Sequence, residues 1–468
     1  MFMNKTIKKL FAAGLTAALC LSSMIPSFAA GSNYGTTLDG DSVLTTTLDK
    51  YLVMREGANV PNVEFEYAIT AGTAIAYDTT EGKFQVLAGV DADKITFEWD
   101  QYHLDTDAEG PDTDVKSTVR FTSSDTTILF ADKGAIDYVK GLEAGEKYAK
   151  HTATLNFSQV GFKEPGVYRY VITETGSTRS DIVNDANLSR ILDVYVEDAT
   201  TSDGTKTLKI VKYVLHATVD GIGASEDFGS DGLVSNGTGV TSGTEFATAA
   251  SDYKSQGFTN EFVTYDLTFS KTVTGNQGSR DKYFKFTVTI EGAMPNTVYT
   301  VSLEDDNNAN TNDGSNADAT VIMNAATLAG YEGKTNPTAG TNGTVDTAAK
   351  TITTDANGKA VVEFYLQHGQ SICIRGLGKG ASYTIVEDSE DYKPFSQVTG
   401  DDNASVGENK AIVSSTGIAG DSIVAYENTR GGVIPTGVIL TVAPFAVLMA
   451  AGAVGIIVVA MKKKHAED

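Results

Sequence analysis

Along most of this chain apolar and polar residues alternate in short runs separated by turn residues. Val63–Ile69, Thr96–Trp99, Tyr168–Thr173, Leu192–Val196, Lys209–Val214, Tyr283–Ile290 and Val361–Leu366 all follow this period of two. Such runs are the mark of strands with one buried face. Few stretches show helical spacing, and many short strands with frequent turns predict all-β sandwiches. Residues 221–250, rich in Gly, Ser, Thr and Asp, predict a long loop. Residues 304–350, rich in Asn, Asp, Gly and Thr, predict an insertion. A boundary is expected near Tyr265, because the same order of features occurs before and after it.

Side chains alternate between faces along a strand, so the buried parity of each strand can be followed and its interruptions noted. Lys50 lies between Leu48 and Leu52, Glu174 follows Tyr168, Tyr170 and Ile172, and Asn260 lies between Phe258 and Phe262. The second half repeats the order. Lys271 shares a parity with Leu267, Phe269 and Val273, Glu387 with Tyr383 and Ile385, and Asn428 with Val424 and Tyr426. A buried charge without a partner costs several kcal/mol, so such groups call for a reason. A buried Lys–Glu ion pair assisted by Asn is one. Edge strands with a partly wet inner face are another. The repetition of the set favours a third, an intramolecular Lys–Asn amide. Burial turns lysine into a neutral nucleophile and glutamate into a neutral acid. The acid polarises the carboxamide and shuttles protons as ammonia leaves. Folding supplies the proximity that an external enzyme would otherwise provide.

The ends of the chain carry their own pattern. Lys5, Lys8 and Lys9 precede an apolar run from Leu10 to Ile25, and Ser27-Phe28-Ala29 offers small residues where a signal peptidase cuts. Cleavage is expected after Ala29. Leu19 before Cys20 argues against a lipid anchor. At the other end, the 24 residues Val438–Met461 carry no charge and are followed by Lys462-Lys463-Lys464. That is long enough to span a bilayer, with the lysines holding that end in the cytoplasm.

Composition narrows the choices. The net charge is −24, and trimming both ends leaves 30 basic and 58 acidic residues, or −28. So acidic a surface argues against nucleic acid and anionic lipid. Only Cys373 remains after trimming, so no intrachain disulfide can form in an exported chain. His103, His151, His216, His368 and His465 show no metal-ligand spacing. Asp305 to Asp318 lacks the glycine and terminal glutamate of an EF-hand and reads as a solvated loop. No metal and no cofactor are expected. No Ser/His/Asp arrangement is apparent, and the amide chemistry is single-turnover maturation, so the chain is not expected to be an enzyme.

The element Ile434-Pro435-Thr436-Gly437, directly before the apolar span, resembles the sorting signal of Gram-positive surface proteins. Lys163-Glu-Pro-Gly166-Val-Tyr168-Arg-Tyr170-Val-Ile172-Thr-Glu174, Leu267 to Gly275, and Ile374 to Glu387 resemble the streptococcal FctA (T-antigen-type) backbone pilins. The resemblance covers essentially the whole mature chain. It implies tandem Ig-like (CnaB-like) β-sandwiches, residues 30–264 and 265–432, between a signal peptide (1–29) and a sorting signal (433–468). It implies self-generated bonds Lys50–Asn260 with Glu174 and Lys271–Asn428 with Glu387. A sortase would cut between Thr436 and Gly437 and join Thr436 to a lysine of the next subunit. The Tyr-Pro-Lys motif of many pilins is absent. By position Lys254 is the candidate, with Lys212, Lys209 and Lys206 as alternatives. Implied partners are further copies of the chain, pilus and housekeeping sortases, cell-wall peptidoglycan, accessory pilins and a host surface ligand. The implied location is the pilus or wall of a Gram-positive bacterium. Ile434 in place of leucine leaves the sortase class open. A monomeric wall-anchored adhesin would share the sandwiches and the tail, and it differs in offering sortase no lysine.

Overall fold

A computed structural model describes residues 38–74, 86–99, 117–134, 137, 139–202, 204–217, 257–305, 342–346 and 349–432. The expected signal peptide, the 221–250 loop, Lys254, most of the 304–350 insertion and the sorting signal lie outside the described residues. Among the described residues there is no α-helix, and no helix long and apolar enough to cross a membrane.

The first half contains β1 Thr45–Arg55, β2 Val63–Ala71, β3 Val86–Ala88, β4 Thr96–Trp99, β5 Thr118–Phe121 and β6 Thr127–Leu129. It continues with β7 Glu146–Asn156, β8 Gly166–Glu174, β9 Ile182–Val183, β10 Ser189–Asp198, β11 Leu208–Ala217 and β12 Gly257–Phe262. One sheet has the order β4-β7-β1-β12-β9, with β6 also on β7; the other runs β11-β10-β8-β2-β5, with β3 also on β8. They enclose a core that includes Leu48, Leu52, Phe65, Phe121, Leu155, Tyr170, Ile172 and Phe258.

The second half contains β13 Thr264–Thr274, β14 Phe284–Glu291, β15 Val298–Asp305, β16 Thr344–Asp346, β17 Thr351–Thr353 and β18 Ala360–Leu366. Then come β19 Gln370–Gly378, β20 Ser382–Glu387, β21 Lys393–Thr399, β22 Ala404–Val406, β23 Ile412–Ser415 and β24 Ser422–Thr429. A sheet of order β16-β17-β15-β19-β13-β24-β21 faces one of order β18-β14-β20-β23-β22. Phe269, Phe286, Val288, Phe364, Ile374, Ile385 and Tyr426 fill the space between them. The protein is thus a tandem of Ig-like β-sandwiches, and every strand read from alternation has its counterpart.

Most pairings are antiparallel, but the first and last strands of each sandwich run parallel as neighbours. Parallel neighbours cannot be joined by a hairpin, so the intervening chain must cross between both sheets before the last strand returns. β1 and β12 come so close that a Cβ on Gly257 would lie 1.5 Å from the Asp49 carbonyl oxygen. Alternation fails as a guide on β1 itself. Tyr51 and Val53 point away from the main core and are still buried, against Tyr148 and Val139.

Val263 alone separates β12 from β13. Its N–H donates to the Asp181 carbonyl and its own carbonyl accepts from Lys379 N–H. Arg55 grips Asp421 with two nitrogens (2.6 and 3.2 Å), and Asn59 Nδ2 donates to the Val298 carbonyl and to Thr300 Oγ1. Met294, from the second half, joins the first core. Gly376 has φ +76, and a Cβ there would meet the Ala58 backbone at 2.8 Å. Only glycine meets both demands. Gly376→Val should therefore loosen the junction while leaving each sandwich folded. Small-angle scattering should show a larger radius of gyration, and proteases should gain access near Val263.

Candidate functional site

The six residues singled out by parity fall into two clusters. All six side chains are at most 4% exposed. Lys50 on β1 and Asn260 on β12 project from one sheet, and Glu174 on β8 projects from the sheet opposite. Lys50 Nζ lies 2.6 Å from Glu174 Oε2 and 2.5 Å from Asn260 Oδ1. In the second sandwich, Lys271 on β13 donates to Glu387 Oε1 on β20, and Asn428 Nδ2 on β24 donates to the same oxygen at 3.0 Å. All six strands lie inside their sheets and none at an edge, which removes the reading of a wet edge strand.

Register explains the repeat. Lys50 stands opposite Phe258, two residues before Asn260, and Lys271 stands opposite Tyr426, two residues before Asn428. In a parallel pair this offset lets a long lysine side chain lean along the strand to reach the shorter asparagine. The glutamates arrive from the facing sheet. Each lysine amine also sits over a phenyl face, Lys50 at 3.9 Å from the Phe65 centroid and Lys271 at 4.4 Å from that of Phe284. These rings exclude water and weakly favour a cation.

Burial dominates the electrostatics. It pulls Lys50 down to about 8 against the opposing pull of Glu174. It does the same to Lys271, also to about 8, against Glu387. Burial raises Glu387 above the ordinary carboxylate range, although the Lys271 charge and the Asn428 hydrogen bond work the other way. A dry pocket penalises both charges, so moving the ammonium proton onto the carboxylate relieves the penalty. Such a transfer would leave an amine beside a carboxamide and a carboxylic acid. Polar atoms are left over at both sites. Glu174 Oε1, Asn260 Nδ2, Glu387 Oε2 and Asn428 Oδ1 are buried without hydrogen-bond partners. Such orphans are costly in a static core.

A different lysine on the same sheet marks the contrast. Lys150, on the outer face, bridges Asp49 and Asp137 at 3.0 Å each. Partial burial works against its charge, but hydrogen bonds to the two aspartates outweigh that and raise its pKa. It remains a cation.

The parity argument did not find Tyr67. Its hydroxyl donates to Glu174 Oε2 at 2.8 Å, and its ring stacks on Phe97 with centroids 5.3 Å apart. The strand pattern marks Tyr67 as an inward residue like any other core aromatic, so only the register opposite Glu174 distinguishes it. Among the described residues no group of His, Cys, Asp and Glu could hold a metal ion.

Comparison with known proteins adds relatives. A family model described as a domain of unknown function (DUF7601) matches residues 265–418. A protein named pilin from Streptococcus pyogenes serotype M1 is 23% identical over 453 residues, covering 96% of this chain and 98% of that protein. A crystal structure of the major pilin from Streptococcus pyogenes is similar over 83% of this chain and 99% of its own, at 18% identity and TM-score 0.40. The T3.2 major pilin of the same species covers 83% and 98%, at 16% identity and TM-score 0.43.

An unlinked Lys50 should leave a signature in stability. Its folded pKa lies below its unfolded value, so the unfolded chain binds more protons between pH about 8 and 10.5. Stability then rises with pH across that window. Asn260→Ala, which retains an ionisable Lys50 beside Glu174, should gain stability from pH 8 to 10, and any wild-type chain whose Lys50 does not titrate should not. Denaturant titration of both chains reads the difference.

Proposed function

We propose that this chain is the shaft subunit of a covalently polymerised cell-surface pilus, each sandwich locked by its own Lys–Asn isopeptide bond. One observation carries the reading. A lysine from the first strand, an asparagine from the last and a glutamate from the facing sheet meet in each core at one register. The similarity to a streptococcal pilin over nearly the whole chain supports it.

The reaction balances within each cluster. The lysine ammonium passes a proton to the glutamate and the free amine attacks the asparagine carboxamide carbon. A C–N bond forms to lysine, the bond to Nδ2 breaks, and Nδ2 leaves as ammonia. The shared proton departs with it as ammonium, and the glutamate returns as carboxylate. Each site turns over once, so the protein is a structural element and not an enzyme. Contact between the reactants supplies the effective concentration.

Such bonds shape how the chain carries load. Force entering at β1 and leaving at β12 would pass through one side-chain link, bypassing residues 51–259. Between the two crosslinked pairs only residues 261–270 would remain in series. Linking Lys50 to Asn260 closes a loop of 210 residues, worth about 5 kcal/mol by the chain-entropy argument used for disulfides. The bond needs no second cysteine and withstands reduction.

The remaining assignments complete the proposal. Residues 1–29 export the chain, 30–264 and 265–432 form its two domains, and 433–468 hold it in the membrane until sorting. Sortase joins the Thr436 carbonyl to a lysine of the next subunit, Lys254 by position, and releases Gly437 and the tail. The last subunit is joined to peptidoglycan, with accessory pilins and host surfaces as further partners.

Intact mass of residues 30–436 under denaturing conditions tests the core of this. The expected result is a deficit of two ammonia molecules, with Glu174→Ala and Glu387→Ala each restoring one. A full mass in the wild type overturns the crosslinks. Incubation of a chain that keeps Gly437 and the tail with a pilus sortase should give a ladder of covalent multimers that Lys254→Ala abolishes.

A further inference from the structure

The two clusters differ in one position. Tyr67 stands directly opposite Glu174 across an antiparallel pair, and Phe286 stands directly opposite Glu387 in the same way. Two residues earlier on the same strands, Phe65 and Phe284 each lie under a lysine amine. The sandwiches thus share a Phe-x-aromatic strand, and only the first carries a hydroxyl. That hydroxyl changes how the glutamate is held. In the first cluster Glu174 Oε2 accepts from Lys50 and from Tyr67, and Asn260 makes no hydrogen bond to the carboxylate. In the second, Glu387 Oε1 accepts from Lys271 and from Asn428 itself.

We propose that Tyr67 is a positioning residue of the first site, holding Glu174 in place of the asparagine that holds Glu387 at the second. The inference rests on the isopeptide reading above. With two donors on Oε2, Oε1 is left without a partner and open to receive the lysine proton during the reaction. The Asn260 carboxamide is then free of the glutamate and turns its carbonyl oxygen to the lysine. The phenol can only donate here, since burial raises its pKa well above the ordinary value and keeps it protonated. Donation to a carboxylate favours the ionised form. The charged and titratable groups around Glu174 are Lys50, Tyr67, Asp185 and Arg190, with the His151–Asp125 pair beside Lys50 in the register. Around Glu387 they are Lys271, Asp388, Glu427 and Tyr426.

The test follows each bond separately. Residues 30–436, which include every described residue, are purified unfolded, refolded by dilution at a series of pH values and quenched in acid. Mass spectrometry of the crosslinked peptides then gives one rate per site. Tyr67→Phe should slow the first bond about tenfold, as expected for losing one hydrogen bond to a charged group, and leave the second unchanged. The acid limb of the first bond's rate profile should also move to higher pH. Phe286→Tyr should move the limb of the second bond to lower pH, a gain that stands even if the first variant fails to fold. An unchanged first rate, equal slowing of both bonds, or slowing with an unmoved limb would each overturn the role. Absence of any bond in the wild type would instead sink the isopeptide reading on which it depends.

Discussion

The parallel seam between the first and last strands of each sandwich is the constraint on which the rest depends. It brings a lysine from one terminus of the domain beside an asparagine from the other, with an offset of two residues in the register. The facing sheet supplies a glutamate to each. The core then does what a dry medium does to buried charges, and penalises the lysine ammonium in both clusters. Lysine pKa values near 8 are the result.

Lys150 shows that this outcome is not a property of lysine beside carboxylates in general. It has two aspartate partners on the same sheet, and its pKa rises. The difference is the face. On the outer side, partial solvation keeps the charges affordable, and a surface pair of this kind is an ordinary ion bridge. On the inner side nothing but side chains is available, and orphaned polar atoms remain around both clusters.

The same reasoning separates what could be read from the chain order and what could not. Alternation located the strands, and the interruptions of parity led to Lys50, Glu174, Asn260, Lys271, Glu387 and Asn428, which the fold places in two groups of three. Tyr67 escaped because an inward tyrosine looks like any other core aromatic until its partner is known. Tyr51 and Val53 misled for a related reason, since a second layer of chain, carrying Val139 and Tyr148, covers what alternation predicts to be an outer face. The glycine of the Ile374–Glu387 segment that meets Ala58 had no local signal of its purpose either. Its reason is the neighbouring domain.

By itself the sequence determined the period of two, the all-β class, and the repetition of one set of polar residues on apolar parity. These are local or compositional properties, and side-chain alternation needs no knowledge of partners. Only the tertiary structure decided which strands are neighbours, that the first and last run parallel, and that Tyr67 faces Glu174 while Phe286 faces Glu387. Those depend on contacts between residues far apart in the chain, where the pairing of one strand is settled by the packing of all the others.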